Sequence, residues 1–312
     1  MVNTQENNEI IVTLYEGHYH YGVAALINSL VAAEFKGLLL VSYRGQLPPW
    51  VNQFQKLENQ QYKIDEYRSV SFIHLNVKMH FGFYKPIFLK EALSNYPLAQ
   101  RIYYFDPDIV VNAPWTFFST WVNSGVALCL DNCFHFVHRN HPWRREWIVL
   151  ANVNLEYCAQ IDYYVNSGFI GLKRANVVIL DEWISMTKKY ENSGETIYSF
   201  VKDGHRAFKG DQDLLNAVLT VFPGIKISLI GKEGMAFSQP AYLMSHAVNN
   251  IKPWKNNFLK DLISRGFAPG IAEKDYFKHA NYPISPYSKG LFLVKSIDIK
   301  FASILSRILA IN

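Results

Sequence analysis

Strand-like and helix-like segments alternate along the first 130 residues, and this alternation most constrains the fold. Residues 9–15 alternate like a β-strand, residues 21–36 carry apolar side chains at helical spacing, and residues 38–42 form a second apolar strand. The same order continues with strands over residues 70–75, 101–105 and 126–130, and with a helix over residues 85–96 that has Pro86 in its first turn. The pattern predicts an α/β domain whose mostly parallel, Rossmann-like sheet is flanked by helices and binds its ligand beyond the carboxyl ends of the strands.

Two carboxylates stand one residue apart directly after the strand predicted over residues 101–105. Asp106 and Asp108 point the same way in an extended chain, and Pro107 between them disfavours helical geometry. Mg²⁺ and Mn²⁺ prefer such oxygen ligands and are often bound by carboxylates together with substrate phosphates. A polar turn that ends a buried strand would have the same residues, so this motif alone leaves both interpretations open.

Composition and charge narrow the classes of function. The chain has 312 residues, of which 49% are hydrophobic and 15% aromatic, enough for one large core. A formal net charge of +5 fits an anionic ligand or a membrane surface. The basic residues are scattered and form no nucleic-acid-binding motif, so we expect no nucleic-acid partner.

The cysteines and the apolar segments bear on the cellular compartment. Cys129, Cys133 and Cys158 are too few for a disulfide framework or a complete zinc site, and we expect them to be reduced thiols in the core. The first nine residues lack the features of a secretory signal, and no apolar run is long enough to span a bilayer. These features predict a cytoplasmic protein.

The regular pattern breaks over residues 131–161, which are rich in His, Trp and Arg and contain one short predicted helix at residues 143–151. A long irregular segment of this kind could be functional or a solvated loop. His135, His138 and His141 are three residues apart but lack carboxylate or cysteine partners, so we favour acceptor recognition over zinc binding. Gly168 and Gly171 then interrupt an apolar run, which indicates either a close approach of the backbone to another group or a β-bulge.

The remaining pattern predicts two helices, one over residues 175–190 and one that begins at Asp211. Asp211 could be the N-cap of its helix or could contact a ligand, and both roles are compatible.

Four short motifs, taken together, resemble glycosyltransferase family 8 over roughly residues 9–258. They occur in the family's order: Asp106-Pro107-Asp108, Asn166-Ser167-Gly168, Asp211-Gln212-Asp213, and the segment from His246 to Lys252-Pro253-Trp254. The resemblance implies a GT-A fold and the transfer of a hexose from a nucleotide-sugar to a glycan or glycolipid, with retention of the anomeric configuration.

The resemblance also implies a metal site. Asp106, Asp108 and His246 would hold Mn²⁺, or Mg²⁺, against the diphosphate of the donor, and Lys252 would add positive charge there.

Further donor contacts are implied around the base and the sugar. The loop from Tyr15 to Tyr19 would hold the base, with Tyr19 stacked on uracil in a UDP-sugar, although Tyr19 could instead be a core residue of the following helix. Lys85 would contact the donor, or be a solvated lysine at the start of its helix. The backbone at Gly168 would lie against the donor.

Three polar side chains would surround the transferred sugar and form the catalytic set: Asn166, Asp211 and Gln212.

The chain departs from the family pattern at three positions. Asn249 replaces a glycine three residues after the histidine, Pro107 separates the aspartates, and Ser167 stands where alanine is common.

The sequence also bears on other functions. A sugar-nucleotide nucleotidyltransferase would need a glycine-rich, basic phosphate loop after the first strand, which this chain lacks. A non-catalytic carbohydrate-binding protein, or an inverting transferase with Asp211 or Asp213 as general base, would also fit.

The end of the chain predicts a basic amphipathic helix. Apolar residues recur at helical spacing among basic ones after residue 289: Val294, Ile297, Phe301, Ile304, Leu305 and Ile308, with Lys295, Lys300 and Arg307. The helix could dock on its own domain or lie on the inner, anionic face of a membrane that carries a lipid-linked acceptor.

We therefore expect a GT-A domain over residues 1–286 and an amphipathic tail over residues 287–312. The domain would have a donor half at roughly 9–130 and an acceptor half at roughly 131–258.

Overall fold

A computed structural model of the protein describes residues 8–58, 60–201, 203 and 206–309. The N-terminal segment that was predicted to lack a secretory signal therefore lies largely outside the described residues. So do the first residues of the predicted domain and the last three residues of the tail. The described strands are β1 (Glu9–Glu16), β2 (Gly37–Arg44), β3 (Gln55–Lys56), β4 (Gln61–Lys63), β5 (Arg68–His74), β6 (Arg101–Phe105), β7 (Ile109–Val111), β8 (Val126–Cys129), β9 (Phe169–Lys173), β10 (Ile227–Ile230) and β11 (Met244–His246). The helices are α1 (His20–Ala32), α2 (Phe81–Asn95), α3 (Trp115–Trp121), α4 (Pro142–Ala151), α5 (Val178–Asn192), α6 (Asp211–Val221), α7 (Phe258–Arg265), α8 (Ile271–His279) and α9 (Lys289–Ile308).

The main sheet has nine strands in the order β10-β8-β9-β6-β1-β2-β5-β4-β3. Its long central pairs, β6-β1, β1-β2 and β2-β5, are parallel, whereas β9 runs antiparallel to β6 and β8. A second, two-stranded sheet pairs β7 with β11 in antiparallel register. The predicted α/β architecture is confirmed, and the carboxyl ends of β1, β6 and β8 meet at one edge of the sheet.

Alternation along β1 divides the core between the two faces of the sheet. Ile10, Val12 and Leu14 face a cluster that includes α2, α5 and α6, whereas Ile11 and Tyr15 face a cluster built with α1 and α3. Both faces of the central strands are therefore covered, as expected for parallel strands joined by helices.

Two predicted helix starts and one predicted N-cap need correction. Helix α2 begins at Phe81, because His80 caps it by accepting a hydrogen bond at Nδ1 from the Gly82 amide at 3.1 Å. Pro86 therefore lies inside the helix, and its predicted position in the first turn is wrong. Helix α5 begins at Val178, later than predicted, because a short 3₁₀ turn precedes it.

The third correction concerns the N-cap of α6. The N-cap is Gly210, so the prediction that Asp211 occupies this position is wrong. The Asp213 carboxylate accepts hydrogen bonds from the amides of Lys209 and Gly210 at 2.7 and 3.3 Å. It thereby binds backbone amides at the start of the helix that have no partner within the helix.

The cysteine prediction holds in part. All three cysteines are free thiols, and Cys129 and Cys158 are buried, but Cys133 is exposed, so the expectation that it lies in the core is wrong. Cys133 follows β8 on a turn whose amides are bound by Asp131, which leaves its side chain at the surface.

A layer of three C-terminal helices covers the outer side of α1. Trp254, Phe258, Tyr276 and Ile299 form its core with Ala25 of α1. The Asn28 side chain fastens this layer to the sheet domain, because its amide nitrogen donates to the carbonyls of His279 and Ile284 at 2.6 and 2.9 Å. Of the two alternatives for α9, docking on its own domain therefore holds for one face of that helix, which buries Ile299 and Ala302 in this layer. Within the described residues, no helix combines the length and apolar character needed to cross a bilayer.

Candidate active site

A cleft of about 720 Å³ opens at the edge of the sheet where β1, β6 and β8 end. The residues that the sequence selected for the donor, metal and sugar contacts all line this cleft: Tyr15, Tyr19, Lys85, Asp106, Asp108, Asn166, Gly168, Asp211, Gln212, His246 and Lys252. Because these residues come from distant parts of the chain, the fold brings the sequence motifs together in one place.

Asp106, Asp108 and His246 form a group with the geometry of a metal site. Each offers one ligand atom, and these atoms all lie within 4.8 Å of one another. His246 Nε2 lies 3.2 Å from Asp108 Oδ1 and 3.7 Å from Asp106 Oδ2. Two carboxylates and one imidazole fit a divalent ion such as Mn²⁺ or Mg²⁺.

Backbone pairing fixes the three side chains. Asp106 and Asp108 lie on the turn between β6 and β7, and His246 ends β11 opposite Ile109 of β7. The Ala247 amide donates to the Asp108 carbonyl at 3.0 Å, and the Asp106 amide donates to the Gly168 carbonyl at 2.7 Å. The imidazole and the carboxylates are therefore held together by main-chain hydrogen bonds that need no bound ligand.

Gly168 makes room for the histidine. A Cβ atom at this position would lie 2.4 Å from His246 Cε1, a distance that side chains do not tolerate. Since β9 pairs residue by residue with β6 from Phe169 onward, the alternative of a β-bulge in this strand is wrong. The sequence interpretation of a close approach is confirmed, and the group that approaches is His246.

Two lysines balance the charge of the carboxylates. Lys85 Nζ lies 3.0 Å from Asp106 Oδ1 and 3.0 Å from Asp211 Oδ2, and Lys252 Nζ lies 2.8 Å from Asp108 Oδ2. Lys85 is only 5% exposed, so the alternative of a solvated lysine at a helix start is wrong. Burial alone would lower the pKa of Lys85, but the neighbouring Asp106 and Asp211 outweigh burial and hold this pKa above its usual range.

Two cationic neighbours stabilise the ionised form of the Asp108 carboxylate. Burial alone would raise its pKa, but the His246 imidazole and the Lys252 ammonium outweigh burial and hold the pKa well below the usual range. Asp108 is therefore ionised near neutral pH and available as a ligand.

The two tyrosines differ in their access to the cleft. Tyr15 is 2% exposed, donates its hydroxyl to the Gln46 carbonyl at 3.0 Å and stacks on Tyr43, so most of its ring belongs to the core. Tyr19 is half-buried on the 3₁₀ turn after β1, and its ring meets the edge of Trp254 at 5.2 Å. Lys252 Nζ lies 6.0 Å from the centre of the Tyr19 ring, which places this aromatic ring near Asp108, the partner of Lys252.

A network of amides and carboxylates forms the opposite wall. Asp131 Oδ1 accepts hydrogen bonds from Asn166 Nδ2 at 2.9 Å and from Gln212 Nε2 at 3.1 Å. The Ser167 amide donates to Gln212 Oε1 at 3.1 Å, and Ser167 Oγ donates to Asp211 Oδ2 at 2.8 Å. The side chains of Asn166, Asp211 and Gln212 are thus held in one orientation by their neighbours.

Asp131 is a site residue that the sequence analysis did not select. It lies two residues after β8 and is 7% exposed, with its other carboxylate oxygen bound by the amides of Cys133 and Phe134. The signal was present, because a polar residue at the carboxyl end of a strand is the feature that pointed to Asp106.

Two of the three histidines in residues 131–161 have local structural roles. His141 caps α4 by accepting a hydrogen bond at Nδ1 from the Trp143 amide, and His138 Nδ1 accepts one from the Asn140 amide. Over the part of the chain that the structure describes, the one group of three possible metal ligands is that of Asp106, Asp108 and His246. From this segment, the cleft is lined instead by Asp131, Cys133 and Phe134.

Comparisons with known proteins reveal similarity in structure alone. No protein-family model and no curated protein matches the chain. Among solved structures, the bifunctional glycosyltransferase WbbM superimposes with a TM-score of 0.54 at 15% identity, covering 92% of this chain and 51% of WbbM. The galactosyltransferase LgtC, solved with donor and acceptor sugar analogues, gives 0.53 at 14% identity, covering 92% of this chain and 99% of LgtC. GlyE, a glycosyltransferase of Streptococcus pneumoniae, gives 0.50 at 12% identity, covering 92% of this chain and 63% of GlyE.

The chain has the GT-A fold that these solved glycosyltransferases share. It spans about half the length of WbbM and nearly all of LgtC. At these identities the likeness concerns the fold, and the chemistry has to be argued from the cleft.

Proposed function

We propose that the protein is a metal-dependent glycosyltransferase that moves a hexose from a UDP-sugar to a glycan or glycolipid. The observation that carries the proposal is the juxtaposition of a divalent-metal ligand set with two lysines in one cleft of a GT-A fold. A nucleoside diphosphate has the complementary charge, since its phosphates share a divalent ion and pair with ammonium groups.

Each side chain of the cleft would have a defined part in the reaction. A divalent ion held by Asp106, Asp108 and His246 would stabilise the charge that develops on the leaving diphosphate. Lys252 would pair with the phosphates, and the Tyr19 ring would stack on the uracil.

The wall formed by Asn166, Asp211 and Gln212 would hold the hydroxyl groups of the sugar and orient its anomeric carbon. Lys85, between Asp106 and Asp211, would stabilise charge on both the phosphate side and the sugar side. We propose that departure of the diphosphate and attack by the acceptor occur on the same face of the sugar, so that the anomeric configuration is retained. The network around Asp213 supports this, because its carboxylate is occupied by the Tyr164 hydroxyl and two amides and is not free to serve as a general base.

A panel of nucleotide-sugars, each with and without Mn²⁺, tests the proposed function. We expect at least one UDP-sugar to raise the melting temperature only when Mn²⁺ is present, because a ligand that binds the native state stabilises it by mass action. The same donor should release UDP, and NMR of the product should show the anomeric configuration of the donor. Binding without turnover would instead favour a carbohydrate-binding protein, and no metal-dependent shift with any donor would refute the proposal.

Asp131 provides a second test that addresses catalysis separately from metal binding. We expect Asp131→Asn to lower kcat about 10- to 100-fold, because Gln212 and Asn166 lose the carboxylate that orients their amides. The affinity for Mn²⁺, measured by calorimetry, should stay within about twofold, since Asp131 is not among the clustered ligands. Asp162→Asn is the matched control, because this carboxylate pairs with Arg139 instead of lining the cleft. Equal kinetics for the two variants would exclude the positioning role.

The acceptor and the location of the protein are further parts of the proposal. We propose that residues 9–130 form the donor half and residues 131–258 the acceptor half of a domain that reaches residue 286. A cytoplasmic protein with peripheral association at the inner face of the membrane would meet a lipid-linked acceptor there. The exposed apolar side chains of α9 support this location.

A further inference from the structure

Helix α9 carries apolar side chains on two opposite faces. One face is docked, with Ile299 and Ala302 buried against the C-terminal layer. The Asp298 carboxylate reinforces the docking, because it accepts hydrogen bonds from the amides of Phe258 and Leu259, at the start of α7, at 2.7 and 3.0 Å. The docked face therefore fixes the rotation of α9 about its own axis.

The opposite face, here called the outer face, is exposed. Its members recur every three or four residues and thus form one stripe along the helix: Leu293, Val294, Ile297, Phe301, Ile304 and Ile308. They range from 45% exposed at Ile297 to 73% exposed at Ile308. A continuous apolar stripe of this size on a docked helix indicates a surface that binds something.

A basic groove of about 890 Å³ runs beside the outer face, between α8 and α9. Five basic side chains line it: Lys274, Lys278, Lys289, Lys300 and Arg307. Lys278 pairs with Asp275, whereas the charged groups of the other four have no carboxylate within ion-pair distance in the described part of the chain. Phe277, Phe292 and Ile299 form the apolar floor. The groove thus combines uncompensated positive charge with an apolar base.

We propose that the basic groove binds the phosphate group of an anionic lipid while the outer face of α9 enters the surrounding bilayer. Lys300 and Arg307 lie on the flank of α9 between its docked and outer faces, which is the level that lipid headgroups occupy when such a helix lies in the membrane surface. The inference deepens the proposed membrane association and is independent of the donor chemistry.

The charge of the groove favours a lipid over a second copy of the chain. A symmetric dimer formed through this face would bring the same surface of both copies together, and therefore their lysines and arginines as well. An anionic bilayer offers apolar chains for the outer face and negative charge for the groove at the same time.

Vesicle sedimentation with paired variants tests the proposal. The variant K300Q/R307Q removes two charges from the groove, and K188Q/K226Q removes two exposed charges elsewhere, so the net charge of the two variants is equal. The vesicles contain phosphatidylcholine and phosphatidylglycerol. We expect the groove variant to bind them about 25-fold more weakly than wild type, because each basic residue contributes about a fivefold factor. The control variant should bind like wild type. Phe301→Ser should also weaken binding, because it removes apolar contact without changing charge. Unchanged melting temperatures would establish that all variants are folded.

Several outcomes would overturn the proposal. Equal weakening in both double-charge variants would indicate general electrostatic attraction without a groove site. Equal binding of wild type to vesicles of pure phosphatidylcholine, which carry no net charge, would exclude selectivity for an anionic lipid. Absence of vesicle binding together with a dimer in light scattering, which Phe301→Ser converts to monomer, would assign the outer face to a second copy. Displacement from the vesicles by millimolar inorganic phosphate, at constant ionic strength, would assign the groove to a free anion.

Discussion

Replacing Asp108 by Asn is expected to lower the turnover of the donor by about a thousandfold, which corresponds to about 4 kcal/mol of lost transition-state stabilisation. Asp108 is buried, lies 3.2 Å from the His246 imidazole and pairs with Lys252, so its carboxylate is central to the proposed metal site. An amide has nearly the same shape but no charge, and it is a poor ligand for Mn²⁺ beside a single remaining carboxylate. The measurement is UDP release with saturating donor and a titration of Mn²⁺.

Melting curves distinguish a lost ligand from a lost fold. In wild type, Mn²⁺ with UDP should raise the melting temperature, and in Asp108→Asn this rise should disappear. Asp181→Asn is the control, because Asp181 pairs with Lys90 at the surface outside the cleft. If Asp108→Asn kept both its turnover and its Mn²⁺-dependent stabilisation, the assignment of the metal site would be wrong.

Substitution of Gly168 by Ala is expected to have the second largest effect. The added methyl group would lie 2.4 Å from His246 Cε1 and 2.8 Å from Asn166 Oδ1, so the imidazole has to move. Overpacking of this kind costs about 1–3 kcal/mol of folding stability. Because the displaced imidazole is a proposed ligand, the affinity for Mn²⁺ should also fall about 10- to 100-fold. Chemical denaturation and calorimetry measure the two effects separately.

Gly224 supplies the matched control for this substitution. A Cβ atom there would make ordinary van der Waals contact with the Phe222 ring at 3.8 Å, so Gly224→Ala should leave both quantities nearly unchanged. A loss of stability in Gly168→Ala without any change in Mn²⁺ affinity would show that His246 is not a ligand.

The sequence predicted the central sheet because its strands carry strong local signals. Residues 9–15 are rich in β-branched side chains and residues 38–42 are mostly apolar, and the structure places them in the parallel pair β1-β2. The contacts that cap the helices were predicted less well. The start of α2 depends on a histidine cap, and the first turn of α6 depends on a carboxylate three residues inside the helix, so both are set by side-chain contacts that periodicity does not record.

The short motifs of the sequence pointed to most residues of the proposed site. Asp131, which was not selected, belongs to none of these motifs. Asp106 and Asp108 stand out because they are one residue apart after a strand, and Gly168 stands out because it interrupts an apolar run. Asp131 is a single carboxylate in an irregular stretch, and its contacts with Asn166 and Gln212 join residues 35 and 81 positions apart. The ion pairs of Lys85 likewise arise only when α2, the β6–β7 turn and α6 meet.

The pairing of β7 with β11 has a consequence for the order in which the molecule is assembled. The two carboxylates are made early in synthesis, whereas the imidazole arrives only when the chain has reached β11 and this strand has joined β7. A nascent chain that has folded its first strands would therefore present an acidic turn without its third ligand. Affinity for the ion would then arise late, as one of the last properties that the growing polypeptide acquires.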